Sequence, residues 1–358
     1  MEAWEMKKPN QGSALYYASD KNIYDALNQS KVDSDTIQKM FSRRNIVVSK
    51  KNTREHLSRF FSRLTHDYID HKEISTKLGI ISRRERITSI DLIGPLTKDE
   101  IHRAIDQLQI DLEKDGDTVH ITENNEKFTI NVSYSVIDYK RSEFSQLQNK
   151  EGELEIIKEG EKYVIRSTQS EYINQIRDSL IVQLDKETTE PLKKISISLY
   201  AHKSPSVRSK FFTDLMTDLP GHHRHDVTDV YVYKPEPTSS LNQAEDDESH
   251  VEKVLMRGKG VTQSKILSEL ISIQNYYISR VGWVATEKLG KGYGFQIEAM
   301  FSEPSDCTGF SYLLRGIYEL GEDGKLSKYR RQPTKSENDS ISRLIEEKAK
   351  SLIQALTK

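Results

Sequence analysis

The stretch KFTINVSYSVIDY, residues 127–139, alternates apolar and polar positions with a period of two. Phe128, Ile130, Val132, Tyr134 and Val136 fall on one side, the pattern of a β-strand with one face in a core. Downstream, GELEIIKEGEKYVIRS (residues 152–167) reads as a hairpin with Gly160 in its turn. The period then changes, and Ile173, Ile176, Leu180 and Ile181 recur at helical spacing over residues 171–182. Further on, the pattern predicts a strand over 195–200, a helix over 206–216 and a strand over 229–233. Past a polar run it predicts a strand over 251–256, a helix over 263–273, three antiparallel strands within 276–320 and a closing helix over 340–356. Ile341, Leu344, Ile345, Ala349, Leu352 and Ile353 form the apolar stripe of that last helix. Meandering strands interspersed with helices define an α+β class with antiparallel sheets.

The chain has 358 residues and 41.3 kDa, long for a single core. Its mean hydropathy of −0.68 is low, yet 17 Tyr and 10 Phe argue for folded cores rather than disorder. Composition shifts suggest five segments: an arm and short helix (1–34), a helical module (35–125), an α+β domain (126–234), a polar linker (235–250) and a second α+β region (251–358). Residues 126–358 are expected as one domain or two. Cys307 is the only cysteine, which excludes an intrachain disulfide and a multi-cysteine zinc site. With no signal-like segment and no run of eighteen apolar residues, a cytoplasmic protein without membrane contact is expected.

The N-terminal third is read from its helix signals. A short helix is expected over 21–29, and Asp33-Ser34-Asp35 offers an N-cap for a helix over 36–44 that buries Ile37, Met40 and Phe41. Asn52 and Glu55 stand at the spacing of a capping box, predicting a helix over 53–68 with Leu57, Phe60, Phe61, Leu64 and Tyr68 inside. Helix, extended link and second helix resemble the SAP motif, a small DNA-binding unit. The resemblance rests on Ile37, Met40, Phe41, Ile46, Ser49-Lys50-Lys51, Leu57, Phe61 and Leu64, about thirty residues; Asn45 stands where that family usually has glycine. A second arrangement is open. A helix over 72–78, a helix launched by the Thr97/Glu100 capping box and a hairpin of 118–122 with 127–132 have the order of a winged helix.

Charge points to a partner. From Lys39 to Arg86 there are thirteen Lys or Arg against five Asp or Glu, within a chain of net charge −2. A basic island in an acidic chain is the footprint of a phosphate-binding surface. Arg43, Arg44, Lys50, Lys51, Arg54, Arg59, Arg63, Arg83, Arg84 and Arg86 are its candidate contacts. The alternative is a solvated face paired with acidic residues of this chain or of a partner protein.

Four weaker constellations remain. GHHRHDVTD, residues 221–229, could lend His223, His225 and Asp226 to a metal, though none of the zinc-site spacings is present. Asp226, Asp229 and Glu298 are the carboxylates a metal-dependent nuclease would require. Arg257 and Lys259, in the glycine-rich loop 256–260, could form a small anion site. Tyr276, Tyr277, Trp283, Tyr293, Phe295, Phe310 and Tyr312 would stack bases if exposed, although alternation makes half of them core. The expected function is nucleic-acid binding, DNA ahead of RNA, without catalysis or cofactor, as in an accessory subunit of a microbial defence or mobile-element system. A nuclease and a protein scaffold are the competing classes.

Overall fold

The computed structural model describes residues 18–78, 84–124, 127–141, 143–217, 219–234, 251–258, 260–261, 264–289, 291–321 and 323–356. The predicted N-terminal arm, Arg83, Lys259 and the polar run 235–250 lie outside the described residues.

Short capped helices open the fold. Ser19 and Asn22 cap α1 (Asp20–Leu27) reciprocally, and the Asp33 carboxylate accepts from the Thr36 amide at 2.6 Å to start α2 (Ser34–Arg43). After α2 the chain turns at Asn45, whose φ of 58° is left-handed. Asparagine tolerates that region, so it serves where glycine would. The Thr53 hydroxyl, rather than Asn52, caps α3 (Arg54–Ser62). The helix expected over 53–68 ends at Ser62, and the helix expected over 72–78 starts earlier, at Tyr68. The Asp67 carboxylate accepts from the Asp70 amide at 2.8 Å and begins α4 (Tyr68–Leu78), a local alternative to continuing α3. The break turns Tyr68 out to 76% exposure, and Phe60, also expected inside, is 51% exposed and stacked on Phe41. Ile23, Leu27, Ile37, Met40, Phe41, Leu57, Phe61 and Ile74 make a small core, closed by Phe144 of the one-turn α6 (Glu143–Gln146).

All the strands join one sheet. They are β1 (Ile87–Ile93), β2 (Thr118–Asn124), β3 (Lys127–Ile137), β4 (Leu147–Glu159), β5 (Lys162–Thr168), β6 (Lys193–Ser196), β7 (His222–Tyr233), β8 (Lys253–Arg257), β9 (Tyr277–Glu287), β10 (Gly294–Glu303) and β11 (Thr308–Tyr318). The order is β2-β3-β4-β5-β1-β11-β10-β9-β7-β8, with β6 also on β1, and every pairing is antiparallel. The mixed α+β class with a large antiparallel sheet is therefore present. The expected boundary at 125/126 falls in the β2–β3 connection, and the hairpin read as a wing is the sheet's end. Likewise β7 and β8, which flank the expected linker, pair from Asp229↔Arg257 to Tyr233↔Lys253.

Helices cover the two halves of this sheet on opposite faces. Residues opposed across an antiparallel pair share a face. Ile90 opposes Ile165 in the core beneath α5 (Lys98–Lys114) and α7 (Glu171–Glu187), while Ile87 opposes Tyr312 in the core of α8 (Pro205–Thr217), α9 (Lys265–Ser272) and α10 (Lys335–Leu356). Ile87 and Ile90, three apart on one strand, point to opposite sides. The half β11-β10-β9-β7-β8 therefore shows, on the side where α5 and α7 sit, a face that no described helix covers. No described helix is long and apolar enough to cross a membrane.

Candidate nucleic-acid interface

At the middle of the open face lies Glu298, in β10 between Gly282 of β9 and Leu313 of β11. Its side chain is 1% exposed and carries three guanidinium groups. Arg86 donates Nε and Nη2 to Oε1 at 2.9 and 2.6 Å. Arg280 donates Nη2 to Oε2 at 2.9 Å, and Arg315 donates Nε to the same oxygen at 2.6 Å. Arg315 reaches Glu298 because the register slips between Gln296 and Ile297, a bulge that re-aims its side chain. Burial works to raise the Glu298 carboxyl; Arg86, then Arg315 and Arg280, outweigh it and hold the group below the usual carboxylate range.

One carboxylate cannot neutralise three guanidiniums. The arginine side chains stay 31%, 20% and 36% exposed, so N–H groups remain free toward solvent. Beside them is a cavity of about 260 Å³ lined by Thr228, Asp229, Arg257, Arg280, Gln296 and Arg315. Gln296 Oε1 accepts from Tyr318 Oη at 3.2 Å and from Arg330, which leaves the amide nitrogen as the free end. Arg280 also lies over the Tyr231 ring at 4.3 Å, held flat by cation–π contact. The cluster sums to five arginines against Asp229 and Glu298. It is a net-positive patch on a rigid sheet.

The predicted basic contacts scatter. Arg43 and Arg44 both bind Asp70, a carboxylate 1% exposed; Arg43 also meets Glu73 at 2.7 Å, and Arg44 lies over Phe61. Arg54 donates to the Gln29 carbonyl at 2.9 Å, and Arg59 pairs with Glu55 at 2.8 Å on the surface. Lys50, Lys51 and Arg63 are exposed, with no ion-pair partner among the described residues. Arg84 donates to the Leu314 carbonyl at 3.3 Å, and Arg86 stands in the Glu298 cluster. The island read from sequence thus divides between a helical module and the sheet's centre.

The carboxylate candidates meet only in part. Asp229 and Glu298 share one cross-strand row with Gly282 between them, whereas Asp226 accepts from the Val227 and Gly260 amides at 2.8 and 3.3 Å. Both Glu298 oxygens are engaged by guanidiniums, so the donor set suits an anion better than a cation. His222 to Asp226 belong to β7 instead of the loop expected there; His222 is buried with Nδ1 2.7 Å from the Pro220 carbonyl, and His223 and His225 are exposed. Among the described residues no group of three or more His, Cys, Asp or Glu is placed to hold a metal ion. The expected stacking aromatics are mostly core: Tyr276, Tyr277, Trp283, Phe295, Phe310 and Tyr312 are buried.

Arg280, Arg315 and Arg330 escaped sequence reading. The signal for Arg280 and Arg315 was present in SRVGW, IEA and LLRGI, where a lone charge interrupts an apolar strand three times in consecutive strands with alternating sign. Isolated charges in adjoining strands are cross-strand partners in waiting. No protein-family model matches the chain, and comparison with curated proteins finds no match either.

Proposed function

We propose that this protein binds nucleic acid through the sugar–phosphate backbone, using the open face around Glu298 as its principal grip. The observation that carries the reading is the surplus of guanidinium groups fixed by one buried carboxylate. Pre-oriented arginines lose little freedom on meeting phosphate and present paired donors to it. The helix–link–helix of α2 and α3 supplies a second contact. Asn45 takes the left-handed turn that the SAP-like pattern gives to glycine, and Lys50 and Lys51 stand free before α3. That resemblance favours DNA at the helical module.

Fluorescence anisotropy with labelled duplex DNA, single-stranded DNA and RNA at two salt concentrations tests the proposal. Salt-sensitive binding is expected. Arg257→Gln with Arg330→Gln, which spares the Glu298 ion pairs, should weaken it and flatten the log–log salt slope by roughly 0.7 to 0.9 for each phosphate that is no longer neutralised. Absence of binding at low salt, or binding indifferent to both substitutions, overturns the open face as the grip.

A further inference from the structure

The cavity beside Glu298 carries a finer reading. Two of its lining residues carry a polar atom that is buried and has no hydrogen-bond partner, the Arg280 Nε donor and the Asp229 Oδ1 acceptor, so a small turn of either side chain toward the cavity would present it to a ligand. The other Asp229 oxygen accepts from Thr228 Oγ1 at 2.9 Å. Asp229 lies over Gly282, where a Cβ would stand 2.5 Å from Oδ2, so the glycine is what lets this carboxylate lean across β9. A buried donor or acceptor left unmade is costly, and one ligand offering both complements would satisfy the pair. A phosphate alone does not, because Asp229 repels it. A phosphate with a neighbouring hydroxyl does.

We infer that this cavity takes a ribose phosphate, with its phosphate on Arg257, Arg280 and Arg315 and its 2′-hydroxyl donating to Asp229. The inference rests on the open face being a nucleic-acid grip and adds the choice of sugar. The cavity, at about 260 Å³, is below the usual range for whole ligands, which suits a sugar and phosphate with the base left outside. The free Gln296 amide nitrogen is a further donor for a phosphate or ring oxygen. An internal RNA nucleotide and a free ribonucleoside 3′-monophosphate share this chemistry; an internal DNA nucleotide lacks the hydroxyl.

The test uses the full chain with a single-stranded RNA, its DNA counterpart and a 2′-O-methyl RNA of the same sequence. RNA should bind about tenfold more tightly than DNA, the factor that a hydrogen bond to a charged acceptor supplies. The 2′-O-methyl strand should fall to the DNA level. Asp229→Ala should erase the RNA advantage over DNA, and Arg257→Gln should weaken all three strands. Competition by adenosine 3′-monophosphate and not by its 2′-deoxy form supports the site with a free nucleotide as ligand; competition by neither, with the 2′-O-methyl loss intact, supports a strand. Equal binding of RNA, DNA and 2′-O-methyl RNA overturns the inference and leaves backbone binding standing. Failure of all three strands to bind overturns both. Because the 2′-O-methyl comparison needs no substitution, it decides even if Asp229→Ala fails to fold.

Discussion

The two halves of the sheet each hold a buried charge cluster, and the clusters are opposites. In the N-terminal half, Arg166 is 4% exposed, donating to Glu346 at 2.9 and 2.8 Å and to Glu155 at 3.4 Å. Lys127 pairs with Glu155 at 2.5 Å, so two cations meet two carboxylates and the cluster is neutral. Glu346 of α10 packs against it, and Glu155 and Arg166 also border a cavity of about 530 Å³ with Asn338 and Asp339. In the C-terminal half, one carboxylate holds three cations and the outer surface stays open. The first arrangement stitches β5 to a helix and needs nothing more. The second keeps a surplus of positive charge at the surface, the feature on which the proposed binding rests. Stoichiometry and cover, more than the mere presence of ion pairs, distinguish the two clusters.

That contrast can be broken in graded steps. Replacing Arg166 with Met leaves Glu346 and Glu155 buried without their guanidinium, and should cost about 3–5 kcal/mol in urea denaturation. Glu298→Gln should cost less, about 1–3 kcal/mol, because its arginines retain water. If Glu298→Gln proves costlier than Arg166→Met, the open cluster is the structural one and the contrast fails. Acid offers a subtler cut. The Glu298 carboxyl is lowered on folding, so its contribution is fully present above the unfolded carboxyl value of about 4.3 and is lost as pH falls through the folded value. The wild-type denaturation midpoint should therefore drop more steeply below that pH than that of Glu298→Gln; parallel acid limbs would show that Glu298 gains nothing from its partners. The smallest effect belongs to Lys50→Ala with Lys51→Ala, expected within about 0.5 kcal/mol of wild type because both are exposed. Arg44→Ala, which removes one of the two guanidiniums on the buried Asp70, should exceed it clearly in thermal denaturation.

What could be read from sequence follows from how far each signal reaches. The alternation of residues 127–139 and the hairpin of 152–167 are local, and both became β-strands with their apolar faces inside. A break between two helices is expected after Tyr68 but falls at 63–67, because apolar spacing carries the first helix too far; the cap at Asp67 sets the true start of α4. The basic island is a count along the sequence. From Lys39 to Arg86 it does not show which charges meet, and Arg43 and Arg44 meet Asp70 and Glu73 inside the module. The Glu298 cluster lay beyond local reach, since its Arg86 contact spans 212 positions. Only the pairing of β1 with β11 brings the end of the basic island onto the last three strands.

The docking of α10 ties the order of synthesis to the order of folding. Asp91, buried in β1, receives Lys350 at 2.5 Å from 259 positions later, and Arg166 receives Glu346 from 180 positions later. A nascent chain that has already made both strands must hold them half-charged and uncovered until its closing helix leaves the ribosome. Pairings of such sequence separation slow folding, because a long loop closes before the contact repays it. The contacts of α10 with β1 and β5 are thus expected to form late in folding.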